Sequence, residues 1–202
     1  GHILPTYYFS GEYETLYPEL LTLEHTEKFY KGDFLWTIGE PITTVYYFRS
    51  GIAETYVEHE KGHRKILSFH GAGTIFPGMQ KSHYKIENAM VIQALTDVAV
   101  TAFKREDFYQ FFSGIPALMD RLIEHQSAYI NMLIYDVAHQ RYNYTFLKLC
   151  NFLFSWPRIT GTAAILRDYA GNIANLLGVG RNHVTKCLSR LRQETSSRYN
   201  AV

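Results

Sequence analysis

Between Phe29 and Phe103 the chain is cut into short runs by Gly32, Gly39, Gly51, Gly62, Gly71, Gly73 and Gly78. The runs are rich in β-branched and aromatic residues: Val45–Phe48, Ile52–Val57, Lys65–Phe69, Met90–Leu95 and Val98–Phe103. Segments this short, with turn residues between them, do not make a helical core. They predict a sandwich, barrel or roll of strands. Glu60-Lys61-Gly62-His63 reads as the turn of a hairpin joining two of the runs.

The period changes after Lys104. Arg105 to Phe112 reads as a short helix that stops at Ser113-Gly114, and Pro116 suits the first turn of the next helix. From Pro116 to about His139 no further Gly or Pro interrupts the chain. Met119, Ile123, Gln126, Ile130, Leu133, Val137 and Gln140 recur by four and three, the spacing of a heptad seam with two polar members. Leu118, Leu122, Tyr129 and Met132 widen the apolar stripe. A stripe of this width suits two partners, and the expectation is a dimerisation helix that packs on the chain's own β-domain and on its two-fold copy. The alternative is a buried helix in a monomer.

Tyr144 to Trp156 reads as a further amphipathic helix, broken at Pro157. Ala170 to Leu188 then has the pattern of a helix-turn-helix: Ile173, Ala174 and Leu177 inward, Gly178 at the turn, Val179 at the corner, and Val184, Cys187 and Leu188 inward on a second helix. The other face of that second helix is Arg181, Asn182, Thr185, Lys186 and Ser189, side chains that bond base edges and phosphates. The net charge is only +1, which argues weakly for a nucleic-acid partner. Its distribution argues more strongly, because Arg181, Lys186, Arg190, Arg192 and Arg198 face the single acid Glu194. Two helices joined by a glycine turn also occur without DNA, and that plainer reading stays open. Cys150 and Cys187 are far apart and form no C-x-x-C pair, so reduced core thiols of a cytoplasmic protein are expected. No signal peptide and no apolar run of spanning length are seen.

A glycine-punctuated β-roll, a long helix and a C-terminal helix-turn-helix, in this order, resemble the cyclic-AMP receptor protein/FNR (Crp/Fnr) family of bacterial transcription regulators. The resemblance rests on Lys31-Gly32, Ile38-Gly39-Glu40, Val45 to Phe48 with Gly51, Lys65 to Phe69, Gly73 to Phe76, Phe108 through Pro116, and the helix-turn-helix. It implies an α+β fold: an N-terminal β-roll (a double-stranded β-helix of cyclic-nucleotide-binding type), a long dimerisation helix, and a winged helix-turn-helix domain. The expected boundaries are 1–115, 116–140 and 141–202. Little chain follows Gln193 before Val202, so the wing is expected to be reduced or missing from this chain. The resemblance further implies a homodimer, duplex DNA with an inverted-repeat operator, RNA polymerase as a further partner, and no enzymatic activity or bound cofactor.

In that family a small effector sits between the β-roll and the long helix. Cyclic-nucleotide members place Gly-Glu for the ribose and, further on, Arg-Ser for the phosphate. Here those pairs fall on Pro77-Gly78 and Asn88-Ala89, and the adenine-contacting hydroxyls of the long helix fall on Leu133 and Ile134. A buried phosphate without a cation is strongly disfavoured, so cyclic AMP is excluded as the effector. An iron–sulfur sensor needs more thiolates than two, and the nearest histidine for a haem ligand, His83, falls in an expected turn. Phe76, Gly78, Met79, Asn88, Ala89, Tyr129 and Leu133 are the expected effector-binding residues, with Met90 and Tyr84 beside them. Such a lining suits an apolar or aromatic small molecule, with Asn88 or Tyr129 as its polar handle. The alternative is that these side chains fill the roll and no effector exists.

Two other classes compete. A cupin-like β-roll metalloenzyme needs His-x-His and a carboxylate, whereas His59, His63 and His70 are spaced by four and seven. A ligand-binding module without DNA-binding activity is the third class.

Overall fold

The computed structural model describes residues 7–16, 25–41, 43–58, 64–77 and 90–140, together with Asn182, Thr185, Lys186, Ser189 and Gln193. In order, the elements are β1 (Tyr8–Phe9), a 3-10 turn (Glu14–Leu16), β2 (Thr26–Phe29), β3 (Phe34–Trp36), β4 (Thr44–Ser50), β5 (Ala53–Glu58), β6 (Arg64–His70) and β7 (Ile75–Phe76). Then follow β8 (Met90–Ala94), β9 (Val98–Lys104), α1 (Arg105–Ser113) and α2 (Pro116–Gln140). Each of the five predicted runs is a strand, with ends moved by one or two residues. The long helix starts at the expected Pro116. The expected turn at Glu60–His63 lies outside the described residues, but β5 and β6 pair antiparallel on either side of it, with Glu58 opposite Arg64. The expected Tyr144–Trp156 helix, and the helix-turn-helix apart from the isolated residues just named, also lie outside them.

The strands form two sheets, ordered β1-β6-β5-β8-β3 and β2-β9-β4-β7. Strand β4 explains why Val45-Tyr46-Tyr47-Phe48 is a continuous apolar run instead of an alternating one. Tyr46 and Phe48 enter the core closed between the sheets, with Trp36, Phe76, Ile92 and Val100. Val45 and Tyr47 point the other way, into a second core with Tyr13, Ile75, Phe103, Phe108, Phe112, Leu118 and Leu122. A strand covered on both faces has no polar side to show. The second core fastens α1 and the start of α2 to the sheet. Burial of each large side chain there contributes about 1.5–3 kcal/mol.

Helix α2 has two apolar faces of different fate. Leu118, Leu122 and Met132 are buried against the β-domain. Ile123, Ile130, Ile134 and Val137 are 57%, 54%, 61% and 68% exposed. Of the predicted seam, Met119, Gln126 and Leu133 are half-buried and Ile123, Ile130 and Val137 lie open.

The strand ends depend on backbone that only glycine tolerates. Gly51 sits at φ 81° between β4 and β5, and a Cβ there would run into the backbone of Asp97 and Val98. Both the dihedral and the close approach require the missing side chain. Gly51→Ala is expected to lower the unfolding free energy by about 1–3 kcal/mol in urea titration. An unchanged midpoint would show that the turn relaxes freely.

Candidate functional site

Strand β6 and helix α2 meet through polar side chains on otherwise apolar surfaces. Lys65 pairs with the buried Asp136, which also accepts a hydrogen bond from Tyr7 Oη at 3.5 Å. Three residues along β6, Ser68 Oγ lies 3.1 Å from Tyr129 Oη. The strand rises about 10 Å over three residues and the helix about 10.5 Å over seven, so these two contacts match only if strand and helix run antiparallel. One turn before Tyr129, His125 Nδ1 is 3.0 Å from Tyr13 Oη. His125, Tyr129 and Asp136 share a helix face by spacing.

An aromatic cluster fills the junction around these bonds. His70, at the end of β6, is completely buried. Its ring stacks on Phe76 at 4.0 Å between centroids, and on Phe48 and Phe9 at 6.1 and 6.0 Å. Phe9 also meets His125 at 5.1 Å and Tyr129 at 5.4 Å, and Phe76 meets Tyr129 at 5.8 Å. Burial holds the His70 imidazole well below its usual pKa, and neighbouring His125 adds to this. Burial also lowers His125, to about 4. It pushes the Tyr129 phenol up to about 12, against the opposing pull of its Ser68 hydrogen bond. Both imidazoles are therefore neutral at pH 7. His70 Nε2 lies 2.9 Å from Ser68 Oγ, while its Nδ1 has no hydrogen-bond partner among the described residues. A buried polar group left so costs about 1–3 kcal/mol.

The structure brings together Phe76, in β7, and Tyr129, in α2, from the expected effector set. Met90, half-buried, packs with Tyr129 on the core between the sheets. Leu133 is half-buried one turn beyond Tyr129, and Ile134 faces out. Gly78, Met79, Asn88, Ala89, Tyr84 and His83 lie outside the described residues. Sequence reasoning missed Phe9, Ser68, His125 and the role of His70. His125 carried one readable signal, since a histidine on the apolar side of α2 between Leu122 and Tyr129 needs a partner inside. Among the described residues no group of three His, Cys, Asp or Glu side chains could hold a metal ion. His59 and His63 lie outside them.

Of the residues expected to meet DNA, Asn182, Thr185, Lys186 and Ser189 are helical and exposed, as is Gln193. Spacings of three, one, three and four are those of one face in an α-helix. Arg181 lies outside the described residues. No helix among the described residues is long and apolar enough to cross a membrane.

The depressed histidines make stability depend on pH. His125 binds its proton at about 4 in the folded chain, against about 6.5 for a free imidazole. Between these values the unfolded chain holds a proton that the folded chain lacks, so stability is full above pH 6.5 and falls as the pH drops. The loss from this one group reaches about 3 kcal/mol near pH 4, and His70 acts in the same direction. Urea titrations from pH 7 to 4.5 should show a falling unfolding free energy. His125→Gln should reduce the slope by about 1.4 kcal/mol per pH unit. An equal slope in the variant would contradict a buried neutral His125.

Residues 26–114, from β2 to the residue after α1, match the family model of the cyclic nucleotide-binding domain. No curated protein matches the chain by sequence. Solved structures do match. FixK2 from Bradyrhizobium japonicum has a TM-score of 0.70 and 18% identity, over 85% of each chain. CLP, a cyclic-di-GMP-responsive global regulator of Xanthomonas campestris, has a TM-score of 0.73 and 14% identity, over 90% of this chain and 93% of its own. A protein of Eubacterium rectale assigned as a Crp/Fnr transcriptional regulator has a TM-score of 0.65 and 17% identity, over 84% of this chain and 79% of its own. Residues 26–114 thus match the cyclic nucleotide-binding domain family, in a chain whose fold is similar to that of Crp/Fnr regulators.

Proposed function

We propose that this chain is a sequence-specific DNA-binding transcription regulator of the Crp/Fnr type, acting as a homodimer and controlled by a small apolar or aromatic molecule other than cyclic AMP. The observation that carries the reading is the exposed helical face of Asn182, Thr185, Lys186 and Ser189, in a chain with the Crp/Fnr fold. Short polar side chains and a lysine on one open face suit a major groove, where amides and hydroxyls bond base edges and the lysine reaches a base or phosphate. Arg181, adjacent in sequence, is the strongest base reader of the set, since its fork matches guanine O6 and N7. RNA polymerase is the natural further partner of such a regulator.

The open face of α2 supports the dimer. Ile123, Ile130, Ile134 and Val137 leave an apolar row on a helix whose other side is already packed. Pairing it with its copy would set two recognition helices roughly 34 Å apart, in successive major grooves, and make the operator an inverted repeat. Because α2 touches both the β-domain and this seam, an effector that favours one seating of α2 changes the spacing of the reading heads. A coupling of about 1–3 kcal/mol gives a 5- to 150-fold change in DNA affinity.

The exclusion of cyclic AMP rests on Pro77-Gly78 and Asn88-Ala89, which offer neither a ribose carboxylate nor a phosphate cation. A cyclic dinucleotide, to which CLP responds, carries two phosphates and meets the same objection.

Selection from fragmented genomic DNA by the purified chain should recover an inverted repeat. Arg181→Ala should weaken binding by about 1–3 kcal/mol and relax one base step in each half-site. No enrichment of any sequence, with and without cell-extract metabolites, would remove the regulator reading. Ile130→Asp should convert a sedimenting dimer to a folded monomer, because the side chain is open in the single chain and buried only in the pair. A wild-type monomer at micromolar concentration would remove the dimer. Calorimetry with cyclic AMP should give no binding at micromolar concentration.

A further inference from the structure

The cleft formed by β3, β4 and the loop between them encloses about 100 Å³, room for roughly three water molecules at about 30 Å³ each. Trp36 and Tyr46 wall it, and both are buried. Each of these rings carries one donor, and both donors are spent on the protein itself. Trp36 Nε1 donates to the Glu40 carbonyl at 3.0 Å, and Tyr46 Oη donates to the Leu35 carbonyl at 3.0 Å. Pro41, also in the lining, has no N–H to give. The side chains of the lining are left with acceptors. These are the Glu40 carboxylate, the Tyr46 phenol oxygen, and the hydroxyls of Thr43 and Thr44, which accept as well as donate. Burial pushes the Tyr46 phenol up to about 12, and the carboxylates of Glu27 and Glu40 add to the push, so the negative potential of both reaches the cleft. The basic groups on adjoining elements are His25, 3.1 Å from Glu27, Lys104, opposite Thr44 in the ladder, and Arg105, whose amide bonds the Thr43 carbonyl. Among the described residues none of these three lines the cavity.

We propose that this cleft binds the ammonium head of a small primary amine, which donates to the Glu40 carboxylate and the Tyr46 phenol oxygen and lies against the Trp36 and Tyr46 rings. Walls that offer acceptors while their aromatic donors are spent call for a ligand that donates, and an ammonium group carries three donors and no acceptor. Its charge meets Glu40 in a charge-assisted bond and is attracted further by the electron-rich ring faces. An anion would meet the carboxylate with no cation in the described lining to offset it. A divalent metal ion asks for six or more oxygens, several of them from carboxylates, and Glu40 is the one carboxylate of the described lining. A quaternary ammonium brings the charge but no N–H, and leaves the wall oxygens unmet. The volume admits the head and one or two carbons. None of the described lining residues belongs to β6 or α2. The site is therefore separate from the β6–α2 junction, and it stands whether or not the regulator reading does.

The test uses the full chain without DNA. Ethylammonium and tetramethylammonium chlorides are titrated at constant ionic strength, with sodium chloride as the balancing salt. The indole N–H signals are followed by NMR in protein labelled with 15N-tryptophan. The chain has two tryptophans, and Trp156→Phe assigns the signal of Trp36. That signal should shift saturably with ethylammonium, with Kd on the order of 10 mM or tighter for a ligand of so few heavy atoms. Tetramethylammonium should bind at least about tenfold more weakly. Glu40→Gln keeps an oxygen for the Thr37 amide at an exposed position, and should weaken ethylammonium binding at least about tenfold. If that variant does not fold, the wild-type contrast between the two cations decides. No saturable shift of Trp36 by about 100 mM ethylammonium, equal binding of the two cations, or unchanged affinity in Glu40→Gln would overturn the proposal. So would a response confined to Trp156.

Discussion

The seating of α2 on β6 is the constraint on which the rest of the structure depends. A helix can pack on a sheet through apolar contact alone and still slide. Here two polar contacts two helical turns apart, Lys65 with Asp136 and Ser68 with Tyr129, fix where along β6 it sits. Asp136 is buried, so losing Lys65 would leave a carboxylate inside without its cation, a cost of about 3–5 kcal/mol in comparable pairs. Sliding α2 by one turn breaks the ion pair and the hydroxyl contact together. The register is therefore closer to discrete than continuous.

The two cores serve this seating differently. The core between the sheets makes the β-domain a firm support, with Phe48, Ala53, Ile92 and Val100 fully buried. The second core, around Phe108, Phe112, Leu118 and Leu122, anchors only the first turns of α2. Beyond Leu122 the helix is held by the polar contacts, the aromatic cluster and Met132. The candidate site lies in this second stretch. The exposed row of Ile123, Ile130, Ile134 and Val137 runs along the same helix.

Neutral histidines suit such a junction. Tyr13 Oη meets His125 Nδ1, and Ser68 Oγ meets His70 Nε2, so a hydroxyl engages each imidazole. Phe9 contacts both rings, which links the N-terminal segment to strand and helix at once.

Much of this was legible in the sequence. Glycine spacing and β-branched runs gave the β-domain, and the break-free stretch from Pro116 gave α2 with both its faces. The reason is that period reports which side of an element is apolar. Period does not report what lies opposite. β1, β3 and β7 have two or three residues, too few to show a period, and they exist as strands because β6, β8 and β4 offer edges to pair with. Tyr129 and Phe76 were legible as lining because they sit on elements that the pattern had placed. His70 read as one of three scattered histidines, and His125 drew no reading at all. Only the tertiary structure brings residues 61 positions apart to the shared hydroxyl contact of Ser68 and Tyr129. It alone leaves one nitrogen of His70 without a partner among the described residues, because satisfaction of a buried group depends on what stands across from it and not on its neighbours along the chain.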